Sequence, residues 1–83
     1  MKITIKTAGL LGRYLPPGSA GDTAELEVEP GATALDVMKQ LRLPLEGSYL
    51  VVLNGTALPK RERARRPLSE NDVLAIMPPL RGG

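Results

Sequence analysis

The strict two-residue alternation at the start of the chain is the feature that most limits its fold. In Lys2-Ile3-Thr4-Ile5-Lys6-Thr7 the isoleucines fall on one side and Lys2, Thr4 and Lys6 on the other. A period of two sends successive side chains to opposite faces of a strand, so this segment reads as a strand with one dry and one wet face. Residues 23–29 repeat the pattern, with Ala24, Leu26 and Val28 inward and Glu25, Glu27 and Glu29 outward. Paired as an antiparallel hairpin, the two strands set lysines against glutamates on the solvated face, each pair contributing roughly 0.2–1 kcal/mol. Three glutamates on an edge strand also discourage edge-to-edge association. The acidic stretch is thereby explained structurally, without a binding role.

The dry face needs a covering layer. Ala34, Val37, Met38 and Leu41 recur at i, i+3, i+4 and i+7, an apolar helical stripe. Thr33, three residues ahead of Asp36, resembles a capping box with Asp in the Glu/Gln position. A helix is expected over 34–42, stopped ahead of Pro44 because the residue before proline avoids the helical region. Met38 is read as a gap-filler of the core. Residues 49–53 are a run of large apolar side chains ending in Asn54-Gly55, a strong hairpin signal. A short strand over 56–58, a charged loop over 60–66, a turn over 68–72 and a last strand over 73–77 follow. Segment 8–22 holds Pro16, Pro17, Gly18 and Gly21 and reads as a loop, with Leu10, Leu11, Tyr14 and Leu15 available to anchor it. The order is β-β-α-β-β-β in a single α+β domain spanning 1–83. Its mixed sheet has four to five strands, with one main helix packed on one face.

Composition narrows the chemistry. Tyr14 and Tyr49 are the only aromatic residues, so the core must be aliphatic. The chain has no cysteine, which excludes a disulfide framework, a thiolate metal site and a cysteine nucleophile. It has no histidine either, which removes the commonest general base near neutral pH and the commonest metal ligand. The nine acids show no paired spacing suited to acid/base work, so neither intrinsic catalysis nor a metal site is expected. The alternating start is unlike a signal peptide, and no apolar run is long enough to span a bilayer; a cytoplasmic location without membrane contact is expected.

The sequence ends in Pro78-Pro79-Leu80-Arg81-Gly82-Gly83. Gly82 and Gly83 carry no side chains, so their distinctive handle is the terminal carboxylate of Gly83. Residues 78–83 are expected to form a flexible tail, thin enough to enter a pocket that any side chain would block. The two prolines fix φ and remove two backbone donors, which ends the strand and launches the tail stiffly.

This order resembles the ubiquitin-like β-grasp sulfur carriers of the MoaD/ThiS family, over essentially the whole chain. The likeness rests on Pro30-Gly31-Ala32-Thr33, Val52-Leu53-Asn54-Gly55, Glu70-Asn71-Asp72-Val73 and above all Met77-Pro78-Pro79-Leu80-Arg81-Gly82-Gly83. Tyr14-Leu15-Pro16-Pro17-Gly18 looks more like the small subunit of molybdopterin synthase than the shorter thiamin carriers, and Leu80-Arg81-Gly82-Gly83 looks like ubiquitin. The resemblance implies a ubiquitin-activating-like enzyme that spends ATP to adenylate the Gly83 carboxylate, which sulfur then converts to a thiocarboxylate. It also implies a synthase large subunit that accepts the tail. The carrier itself would bind no cofactor. A thiamin-thiazole carrier and a protein modifier conjugated through Gly83 are the alternatives.

Two surfaces are candidates for partner contact. Residues 49–53 and 73–77 are apolar at consecutive positions and cannot hide everything under one helix. By analogy with ubiquitin-like domains, Val51, Leu53, Leu74 and Ile76 go inside, leaving Leu50, Val52, Ala75 and Met77 on an open face as a docking patch. Cover by loop residues such as Leu10 or Leu45 is the alternative. The second candidate is the cluster Lys60, Arg61, Arg63, Arg65 and Arg66, suited to steering toward an acidic partner or simply a solvated loop. Without aromatics to stack bases, nucleic acid is not an expected partner.

Overall fold

The computed structural model describes residues 1–8, 14–15, 22–43 and 49–78. The chain builds β1 (Lys2–Thr7), β2 (Thr23–Glu27), α1 (Ala34–Gln40), β3 (Leu50–Leu53), β4 (Thr56–Ala57), a 3-10 turn (Lys60–Glu62) and β5 (Val73–Met77). The strands form one five-stranded mixed sheet in the order β2-β1-β5-β3-β4. Strand β5 lies at its centre, parallel to β1 and antiparallel to β3. This is the ubiquitin-like β-grasp, a sheet with one main helix against it.

The alternation places the core as the sequence requires. Ile3, Ile5, Val37, Val51, Leu74 and Ile76 are the largest fully buried side chains, and Leu26, Met38, Leu41 and Leu53 pack with them. Each such burial contributes roughly 1.5–3 kcal/mol. The inside positions expected in β3 and β5, Val51, Leu53, Leu74 and Ile76, are all buried.

Helix α1 has seven residues, too short to persist alone, so its ends are tied down. The Asp36 amide donates to Thr33 Oγ1 at 3.3 Å, and the Thr33 amide donates to Asp36 Oδ2 at 3.0 Å. The capping box with Asp is therefore real. A further early amide of the helix, on Leu35, donates to the Arg63 carbonyl at 2.9 Å.

The helix stops two residues before the expected end, and for a different reason. Leu41 is the C-cap, and Arg42 turns into the left-handed region with φ 62°. The Arg42 amide reaches the Lys39 carbonyl and the Leu43 amide the Met38 carbonyl, both at 3.0 Å, which is a Schellman motif. Leu43 and Met38 are both buried, supplying its apolar contact. A β-carbon in this conformation costs roughly 1–2 kcal/mol. Arg42→Gly is therefore expected to raise stability by about 0.5–1 kcal/mol in urea unfolding; an unchanged or lower midpoint would mean the arginine side chain offsets the strain.

Other boundaries move by a residue or two. Strand β2 ends at Glu27, although Val28 is still buried and its amide donates to the Met1 carbonyl. Strand β3 starts at Leu50, and β4 ends at Ala57. Segment 60–66, expected as a loop, opens with the 3-10 turn and continues in turns. Among the described residues no helix is long and apolar enough to cross a membrane.

Candidate functional site

The sheet face turned away from the core is built by register. Leu50 pairs with Met77 and Val52 with Ala75, while Val52 also pairs with Ala57. Directly opposed residues share a face, so these side chains form one contiguous patch. Leu50 is 44% exposed, Ala57 is exposed, and Val52, Val73, Ala75 and Met77 are half-buried. The patch includes the four residues named from the sequence, together with Val73 and Ala57. Leu10 and Leu45, the loop residues considered as covers, lie outside the described residues, as does most of loop 8–22.

The patch runs to the end of β5. Met77 is the last strand residue and Pro78, exposed, follows it. Leu80, Arg81, Gly82 and Gly83 lie outside the described residues. The beginning of β5 is fixed by Asn54. Its Oδ1 accepts from the Val73 amide at 2.8 Å, its Nδ2 donates to Asp72 Oδ1 at 2.9 Å, and its backbone amide donates to the Val73 carbonyl at 2.8 Å. Asn54 and Gly55 both take positive φ, 50° and 84°, as the tight hairpin turn demands. The strand that leads into the tail is thus held by two neighbouring strands and by side-chain bonds at its start.

The five basic residues do not act alike. Lys60, Arg61, Arg65 and Arg66 are exposed. Arg63 is half-buried, and its Nη2 donates to the Tyr49 carbonyl at 2.7 Å, while its own carbonyl receives the Leu35 amide. Arg63 therefore ties the basic segment to α1 and to the entrance of β3, leaving four cations turned to solvent. That distinction was invisible in a run where six of seven residues are charged.

Across the same open face the charges form stripes. Glu25 and Glu27 stand on β2 and Lys2 and Lys6 on β1, beside the apolar patch. The Met1 α-ammonium lies 2.7 Å from Glu27 Oε2; this hydrogen bond holds the Glu27 carboxyl below its usual range and the ammonium above its own.

Replacing Val52 with Glu is expected to leave thermal unfolding within a few degrees of wild type. A carboxylate at the patch centre should weaken docking of a tail-accepting partner by roughly tenfold or more, since it would be desolvated without a counter-charge. Calorimetry and surface plasmon resonance check the two halves; an unfolded variant would assign Val52 to the core.

The ThiS family model matches residues 18–83. No curated protein sequence matches the chain. Among solved structures it is similar to SAMP1 from Haloferax volcanii, at 21% identity and a TM-score of 0.70 over 100% of both chains. It is also similar to the complex of subunits 1 and 2 of the molybdopterin-converting factor from Helicobacter pylori 26695, at 16% identity and a TM-score of 0.64 over 100% of both chains. The solution structure of the HVO 2177 protein, also from Haloferax volcanii, matches with a TM-score of 0.77 at 19% identity, covering 100% of this chain and 87% of the other.

Proposed function

Since the chain belongs to the ThiS family of ubiquitin-like sulfur carriers, we propose that it carries sulfur on the Gly83 carboxylate for assembly of a pterin-based metal cofactor, molybdopterin or tungstopterin. The observation that carries the reading is the Pro-Pro-Leu-Arg-Gly-Gly end set directly after the central strand, beside an open apolar face. A side-chain-free end suits a reaction whose machinery belongs to partners.

The chemistry closes without any catalytic side chain of this protein. A Gly83 carboxylate oxygen attacks the α-phosphorus of ATP on an activating enzyme, giving the acyl adenylate and pyrophosphate. A sulfide-level nucleophile then adds to the carbonyl carbon and AMP leaves, so the product is a thiocarboxylate. In a synthase, that sulfur attacks an electrophilic carbon of the acceptor and displaces its leaving group. Water then cleaves the acyl carbon–sulfur bond of the resulting thioester, leaving the sulfur on the acceptor and regenerating the Gly83 carboxylate. What this chain contributes is reach and orientation: Gly82 slims the approach, the two prolines direct it, and Leu50, Val52, Ala75 and Met77 seat the partner. The exposed cations Lys60, Arg61, Arg65 and Arg66 steer the encounter toward an acidic surface.

The pterin assignment is supported by the Tyr14-Leu15-Pro16-Pro17-Gly18 segment and by the likeness to the Helicobacter converting factor, whose first subunit is seen in complex with its second. The likeness to SAMP1, a protein whose name denotes a modifier, favours a second reading in which Gly83 forms isopeptide bonds with target lysines.

Intact mass after incubation with the native activating enzyme, ATP and a sulfide donor separates the two. Conversion of carboxylate to thiocarboxylate adds about 16 Da, whereas conjugation gives a ladder of heavier species. Transfer of that sulfur to a pterin precursor, and not to a thiazole precursor, is the result expected; the reverse would assign the chain to thiamin synthesis.

A further inference from the structure

The expected pairing of lysines with glutamates across β1 and β2 is only half realised. Lys2 stands opposite Glu27, and its Nζ is 3.9 Å from Glu25 Oε1. Lys6 stands opposite Thr23, with Ala75 on its other side. It is exposed, and among the described residues no carboxylate lies within ion-pair distance of it. Lys6 is thus a hydrated cation placed beside the apolar patch.

The registers draw one straight row across the open face: Thr23, Lys6, Ala75, Val52, Ala57. Neighbouring strands lie about 4.8 Å apart, so Lys6 sits about one strand spacing from Ala75 and about two from Val52. Ala75 and Ala57 are small, whereas Leu50 and Met77 rise beside them at the end where the tail departs. The row forms a shallow apolar trough with a cation at one end and the close of β5 alongside.

We propose that Lys6 sets partner specificity on this face: the partner seats an apolar side chain over Ala75 and Val52 and pairs a carboxylate with Lys6, one strand spacing to the side. The inference rests on the reading of Gly83 as the activated end, because a partner holding that tail must lie along the Met77 side of the patch. Covering the trough strips water from Lys6. A partner without an acid there leaves the ammonium desolvated and unpaired, and is rejected; one with an acid recovers the cost. The occupant is a protein surface. A phosphate backbone or anionic bilayer would meet Glu25 and Glu27 on the same face. A second copy of this chain is the competing occupant that the test includes; on its open face Glu25 and Glu27 are already ion-paired.

The test is steady-state activation by the native activating enzyme, read as thiocarboxylate formed against carrier concentration, for wild type and for Lys6→Glu, Lys6→Arg and Lys39→Glu. Lys6→Glu is expected to raise KM about tenfold or more with kcat unchanged. Lys6→Arg should restore most of the affinity. Lys39→Glu, the same charge change on an exposed position of the helix, should leave KM within about twofold. Circular dichroism melting of each variant should match wild type. Equal KM values for wild type and Lys6→Glu would overturn the inference alone. So would an equal loss in Lys39→Glu, which would reduce the effect to net charge, or a wild-type dimer that Lys6→Glu dissociates. Absence of any product from the wild-type chain would overturn the functional reading and this inference with it.

Discussion

A chain shortened by Gly83, or extended by one residue beyond it, is expected to lose activation by at least about a hundredfold while unfolding at the same temperature as wild type. The reason is reach. Along an extended tail, one residue moves the carboxylate by roughly 3.3–3.6 Å, whereas attack on the nucleotide phosphorus tolerates errors of only about an ångström. An added residue also replaces the Gly83 carboxylate with an amide that no longer attacks. Gly82→Val should do similar damage by thickening the tail at the point of entry. Arg61→Ala or Arg65→Ala should at most slow association, because exposed cations act on the encounter and not on the chemistry. ATP-dependent adenylation, followed by pyrophosphate release, compares the forms. Full activity of the shortened or extended chain would dispose of the carrier and the modifier readings together.

The second large effect is on the fold. Leu74 is completely buried in β5, with Ile5 on one neighbouring strand and Leu53 on the other. Leu74→Ala removes methyl groups from a site walled by two strands that cannot collapse inward, so a cost of about 2–5 kcal/mol is expected. A domain of 83 residues at about 0.05–0.15 kcal/mol per residue has a total stability of only about 4–12 kcal/mol. The melting temperature should fall by at least about 8 °C, and the largest cost set against the lowest stability leaves the folded state a minority at about 25 °C. Val52→Ala, on the open face of the adjacent strand, should change it little. Similar losses in both variants would mean that the open face is packed as tightly as the core.

What the sequence disclosed tracks how periodic each element is. Strands β1 and β2 carry one apolar residue in two, and their faces follow from that alone. Strands β3 and β5 are apolar throughout, so alternation cannot choose a face; likeness to ubiquitin-like domains was needed to put Val51, Leu53, Leu74 and Ile76 inside, where they lie. The helix start was legible because Thr33 and Asp36 are specialised for it. Its end was not, since an arginine at the left-handed position gives no signal of the kind glycine would. In 60–66 composition hides the difference between Arg63, bonded to the Tyr49 carbonyl, and its exposed neighbours. Lys6 was missed for a related reason: pattern pairs lysines with glutamates in general, but register sets Lys6 against Thr23. The glycine tail was legible as chemistry only, because its role depends on what lies beyond this chain.

The position of β5 at the middle of the sheet has a mechanical consequence. A partner that grips the tail and draws it along the strand axis loads β5 lengthwise against β1 and β3 at once. Ladder hydrogen bonds run across the strands, so such a pull shears both rows together and cannot peel them one bond at a time. Traction that would unzip an edge strand such as β2 is shared here between two seams, and the clamp from Asn54 to the Val73 amide anchors the far end. The domain can therefore be pulled by its end without being unravelled by the pull.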